Sequence, residues 1–192
     1  MSLLDDAPHV HADDRATWRA WLEANHATAR GAWLVTWRGR SGRVSLDYEA
    51  AIEEALCFGW VDSTGGHVDD ERGKLYFAPR KPWSPWAASN KARIERLIGE
   101  GRMAPAGLAA IERARANGSW EILDAAERLD VPEDLAAALE ARPPAAVNFA
   151  AFRPSARKML LGWVALARRP ETRAARIAEI AEAAARNQRA RG

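Results

Sequence analysis

The sequence predicts an α+β protein. A small, mainly antiparallel sheet with helices occupies residues 1–100, and an all-helical module over residues 101–192 is packed on it. Three observations predict this. Runs of β-forming residues occur at 32–37, 60–67 and 74–78, all in the first half. After Gly101 the strand signals stop, and Pro105, Pro132, Pro143, Pro154 and Pro170 each stand where a helix can begin. Proline suits a first helical turn because its missing N–H has no intrahelical partner there. Finally, no long Gly/Ser linker and no solenoid repeat interrupts the chain.

The elements follow in order. Residues 1–12 read as a tail. Asp13 or Asp14 can cap a helix running to about Thr28, with Trp18, Trp21 and Leu22 at helical spacing. Ala32-Trp-Leu-Val-Thr-Trp37 reads as a strand, and Gly39 to Gly42 as a turn. Ser45 or Asp47 starts a second helix through Tyr48, Ile52 and Leu56, ending at Gly59. Trp60 to His67 is a strand with an irregularity at Gly65-Gly66. Asp69 to Gly73 is its hairpin tip, and Lys74 to Ala78 returns. Pro79, Pro82 and Pro85 make a rigid loop, and Ser84-Pro85 reads as the cap and first residue of the next helix. The remaining helices are expected near 105–117, 121–129, 132–141, 143–151, 154–168 and 170–188.

Composition excludes several classes. With 28% charged and 48% hydrophobic residues, the 192-residue chain is neither disordered nor fibrous. The net charge of +2 divides into −5 over residues 1–152 and +7 over 153–192. A single cysteine, Cys57, excludes an intrachain disulfide and a multi-cysteine zinc site. No stretch approaches the ~20 apolar residues of a membrane helix, so no membrane insertion is expected. Met1-Ser-Leu-Leu-Asp-Asp6 does not read as a secretory signal, and a cytoplasmic location is the expectation. Nine tryptophans stand against four Phe and two Tyr, eight of them in the first 120 residues. An indole is large and carries an N–H that needs a partner when buried, so the excess suggests aromatic-walled cavities, with core packing as the competing reading.

Two blocks carry candidate chemistry. In Glu53-Glu-Ala-Leu-Cys-Phe-Gly-Trp-Val-Asp62, both Glu53 and Glu54 can share a helical face with Cys57. A carboxylate beside a thiol can act as its base or keep it protonated, so Glu54, Cys57 and Asp62 are acid–base or nucleophile candidates. The alternative is a buried, inert Cys57. Asp62 shares a strand face with Trp60 and could bind a cationic group. In Tyr76-Phe-Ala-Pro-Arg-Lys-Pro-Trp-Ser-Pro-Trp86 a stiff loop presents two indoles and two cations, suited to an anionic or aromatic group. The alternative is a loop packed on the sheet, with Trp86 as a core plug. Together the blocks propose a ligand pocket of Trp33, Trp37, Trp60, Asp62, Arg80, Trp83, Trp86 and Asn90. No cofactor or metal is expected. His9 and His11 lie in the tail, and no glycine pattern for nucleotides is present. Arg168, Arg169, Arg173 and Arg176 are concentrated, but without a basic stripe or recognised motif no nucleic-acid partner is expected.

At these blocks the sequence resembles the YdeI/OmpD-associated, or bacteriocin-protection, proteins. The resemblance rests on Glu54 to Asp62, on Pro79-Arg80-Lys-Pro with Trp86 and Asn90, and on Glu100 to Leu108. It continues through Pro132 to Leu135, Phe149, Pro154-Ser155, Trp163, Arg169 to Arg173 and Arg176-Ile177. It implies resistance to bacteriocins or antimicrobial peptides, with association to an outer-membrane porin, and supplies no catalytic residues. The leading expectation is a stress-protection protein that binds a small molecule or peptide. The alternative is an enzyme acting on a small molecule.

Overall fold

A computed structural model of the chain describes Leu4 and residues 6–190. The chain divides into two compact units. One holds the residues up to Ser84 together with Ser89–Asn117, and the other holds Pro85–Ala88 and the residues from Gly118 onward.

The first unit is built on a four-stranded sheet. The strands are β1 (His9–His11), β2 (Ala32–Trp37), β3 (Trp60–His67) and β4 (Arg72–Pro79), in the order β1-β2-β4-β3. β2, β4 and β3 pair antiparallel, while β1 runs parallel to β2. β1 corrects the expectation of a tail. His-Val-His is too short to show alternation, and it becomes a strand because the edge of β2 offers unpaired backbone groups. The irregularity expected at Gly65-Gly66 is a register shift between Asp62 and Gly65.

Helix α1 (Arg15–Asn25) is capped by Asp14, whose side chain accepts from the Thr17 N–H. Helix α2 (Tyr48–Cys57) is capped by Asp47 through the Ala50 N–H. Leu34 and Phe77 are buried on one sheet face, where Trp18 packs on Phe77 with ring centres 5.3 Å apart. Trp18 also stacks on Trp21, which meets Trp60 edge-on at 5.8 Å. The Trp18 indole N–H donates to the Ala51 carbonyl at 3.2 Å, so this buried donor is satisfied within the core. Helices α3 (Ala88–Gly99) and α4 (Pro105–Ala116) add Ile94, Leu97 and Ile111 to the buried set. Helix α3 begins three residues later than the Ser84-Pro85 signal predicts. Trp86 is buried in the second unit against Trp120, and that burial outweighs the local cap.

The second unit is helical: α5 (Asp124–Glu127), α6 (Glu133–Glu140), α7 (Ala145–Ala151), α8 (Pro154–Ala165) and α9 (Pro170–Ala185). Its core includes Leu135, Leu139, Phe149, Leu160, Val164 and Ile180. Helix α5 is shorter than the predicted 121–129, because residues 118–123 form turns. The end of α8 is held by two arginines of α9. Arg173 reaches the Val164 carbonyl at 3.5 Å and pairs with Asp134 at 2.6 Å, while Arg176 donates to the Trp163 carbonyl. Guanidinium groups there satisfy carbonyls left over at a helix C-terminus.

Candidate functional site

Three places in the structure hold the residues with chemistry. The first is the C-terminal half of α2. Its cap sets a register that buries Glu53, Glu54 and Cys57 together. Two adjacent buried carboxylates stay charged only if cations reach them. Arg15 and Arg19, one turn apart on α1, supply two, and Arg96 and Arg102 supply the others. Glu54 accepts from Arg15 at 3.0 Å, Arg19 at 2.8 Å and Arg102 at 2.5 Å. Glu53 accepts from Arg15 at 2.8 Å and from Arg96. Burial by itself would raise the Glu53 carboxyl, but Arg96 and Arg15 outweigh it and hold it below the ordinary glutamate value. Burial pushes the Cys57 thiol up, and the Glu54 charge pushes it further. That is the opposite of an activated nucleophile. This network fastens α1, α2 and the end of α3.

The second place is an outer corner of the same unit. Trp60 is buried, and Asp62, two residues along β3, is half-exposed. The hydroxyl of Tyr48, the first residue of α2, donates to Asp62 at 3.2 Å. Burial and then the Asp62 charge raise the Tyr48 pKa, and the nearby Arg93 opposes them. Arg93 forks onto Glu49 with two 2.9 Å hydrogen bonds and also donates to Asn90 at 3.0 Å. Arg80 follows β4, anchored by its N–H to the Gly59 carbonyl at 3.0 Å. It is only 8% exposed, and burial brings its guanidinium down to about 10, with the Asp62 charge acting against that shift. Trp83 lies three residues on, half-exposed, in a turn closed by the Ser84 N–H on the Lys81 carbonyl at 2.9 Å. The Asn117 amide ties the same turn at Pro82 with a 2.8 Å hydrogen bond.

The predicted residues are therefore divided. Asp62, Arg80 and Asn90 come together, joined by Tyr48, Glu49 and Arg93, which the sequence reading missed. Their one available signal was position, since Tyr48 and Glu49 directly follow the Asp47 cap. Glu54 and Cys57 belong to the arginine network. Trp60 is core. Trp86 is core of the second unit. Trp33 and Trp37 lie on the sheet face carrying Tyr76 and Arg72, while Asp62 pairs with Phe77 on the other face.

The third place is a cleft of about 440 Å³ in the second unit, walled by Leu123, Met159, Trp163 and Leu166. A Lys158–Glu127 ion pair of 2.6 Å stands on its side. The pairing with Lys158 holds Glu127 below its ordinary value. Among the described residues no group of three or more His, Cys, Asp or Glu could hold a metal ion. No described helix is long and apolar enough to cross a membrane.

Comparison with known families divides the chain in a similar way. Residues 10–110 match the family described as a domain of unknown function (DUF8412). The chain belongs to this family. Residues 128–187 match the family described as "Bacteriocin-protection, YdeI or OmpD-Associated". That second match covers Pro132–Leu135, Phe149, Trp163 and Arg169–Arg173, whereas Glu54–Asp62 and Pro79–Asn90 fall in the first. No curated protein matches the chain, and no solved structure does.

Proposed function

We propose that the protein acts in bacteriocin or antimicrobial-peptide protection by binding a small molecule or peptide at the Asp62–Arg80 corner of its first unit. The protective role is supported by the family match over residues 128–187. The binding role is carried by one observation: a guanidinium held inside the fold beside a half-exposed carboxylate. Burying a cation is costly, and the Asp62 charge offsets part of that cost. The Tyr48 hydroxyl donates to Asp62, Asn90 joins through Arg93, and the half-exposed Trp83 lies three residues beyond Arg80, polar and aromatic groups of the kind by which a mostly rigid site orients a ligand. Arg80 suits an anionic group of the ligand and Asp62 a donor, so a ligand carrying both, as a peptide does, fits best. The tryptophan contribution to this corner is Trp83, not the larger set expected from sequence.

The test is survival. Bacteria sensitive to a bacteriocin panel and expressing the chain should outlive those expressing Arg80→Ala or Asp62→Asn, with both variants present at normal levels. Full protection by both variants would remove the site assignment.

A further inference from the structure

The sheet face opposite Leu34 and Phe77 carries a pattern that the binding corner does not use. Trp33 and Trp37 lie on it, four residues apart on β2 and therefore about 13 Å apart along the strand. Cations rest on both rings. The Lys74 Nζ is 4.2 Å from the Trp33 ring centre, and the Arg43 guanidinium is 4.3 Å from that of Trp37, with Arg72 at 5.9 Å. His9 and His11 of β1 flank the same two indoles. Arg40 sits in the turn after β2.

The charge on this face is not neutralised. Arg72 is paired with Asp69 at 2.6 Å, and His11 meets Asp13 at 3.3 Å. Asp70 and Glu71 occupy the exposed hairpin tip. Among the described residues, Arg40, Arg43 and Lys74 have no carboxylate within ion-pair distance, and the Lys74 ammonium meets His9 Nε2 at 3.3 Å. The arginines around Glu53 and Glu54, in contrast, are all paired.

We infer that this face binds single-stranded nucleic acid, with a base on the Trp37 ring and phosphates on Arg43, Arg40 and Lys74. A half-buried indole among cations that meet no carboxylate provides the two contacts such a strand needs, a flat apolar surface and a track of positive charge. Arg43 is exposed and holds Trp37 only through its ring face, so a base can take its place while the guanidinium turns to a neighbouring phosphate. Trp33 is buried, with its indole N–H on the Leu4 carbonyl at 2.9 Å, so Trp37 is the platform. The expectation of no nucleic-acid partner came from the C-terminal arginines, and two of those, Arg173 and Arg176, are spent on the end of α8.

The test uses the full chain and a fluorescein-labelled twelve-residue oligothymidylate, followed by anisotropy. Binding should weaken steeply between 50 and 200 mM salt. Trp37→Ala should weaken it about tenfold, as should the surface variant Arg43→Glu. A duplex of equal length and heparin should compete poorly. No binding by the wild-type chain at low salt overturns the inference. So does binding that Trp37→Ala leaves unchanged, or that duplex DNA and heparin match, because either result means general attraction for polyanions without base stacking. Circular dichroism of both variants separates loss of binding from loss of fold.

Discussion

Replacing Glu54 tests the buried network most severely. Its side chain is 1% exposed and accepts from three guanidinium groups, at 3.0, 2.8 and 2.5 Å. In Glu54→Ala those three lose their shared partner. Breaking a buried ion pair from one side costs about 3–5 kcal/mol. Here the arginines keep 39, 31 and 26% of their side-chain surface, so they can turn partly to water, and Glu53 still holds Arg15. The expected cost is therefore near the lower limit, about 3 kcal/mol. Glu54→Gln keeps the shape and some hydrogen bonds, and should cost about 2 kcal/mol. The assay is urea denaturation of the full chain followed by circular dichroism, with Glu23→Ala as control. Glu23 pairs with Arg19 at the surface, and its loss should cost under about 0.5 kcal/mol. If Glu54→Ala costs no more than Glu23→Ala, the network does not fasten the helices.

Three further outcomes follow from the same structure. Glu53 has a folded pKa below its ordinary 4.5, so its stabilising contribution is complete above that value and is lost as the pH falls through the folded one. Urea midpoints measured from pH 6 to pH 3 should fall more steeply for wild type than for Glu53→Gln, and parallel curves would contradict this. Gly107→Ala places a methyl 2.2 Å from the Cys57 carbonyl oxygen, a clash with backbone that cannot rotate away. It should cost about 3 kcal/mol by denaturation, and a neutral result would mean that α4 does not meet α2 so closely. Cys57 is buried with a raised pKa, so a thiol reagent at pH 8 should leave it untouched until urea is added. Rapid labelling of the native protein would contradict that.

Much of the fold was legible because local chemistry and tertiary demand agree. Asp14 and Asp47 cap as their positions suggest, and β2 and β3 occupy the predicted spans. The misses have physical causes. β1 exists only through its pairing with β2, a non-local fact that three residues cannot encode. Trp86 is drawn from a favourable cap site into a distant core. The site was half legible. Asp62, Arg80 and Asn90 stood out as polar residues in aromatic, proline-stiffened surroundings, and they do come together. Tyr48 and Arg93 are unremarkable helix residues in sequence, and only the packing of α2 and α3 brings them to Asp62. Conversely, Glu54 beside Cys57 looked like chemistry because the three arginines that neutralise it lie 35 to 48 residues away.

The central claim is that the Asp62–Arg80 corner carries binding and the Glu53–Glu54 network carries stability. The most direct measurement is bacteriocin survival by cells expressing wild type, Asp62→Asn or Glu53→Gln, each scored alongside the amount of folded protein. The account predicts that Asp62→Asn folds normally and protects poorly, while Glu53→Gln protects in proportion to what remains folded. Undiminished protection by Asp62→Asn, or loss of protection in fully folded Glu53→Gln, would contradict it.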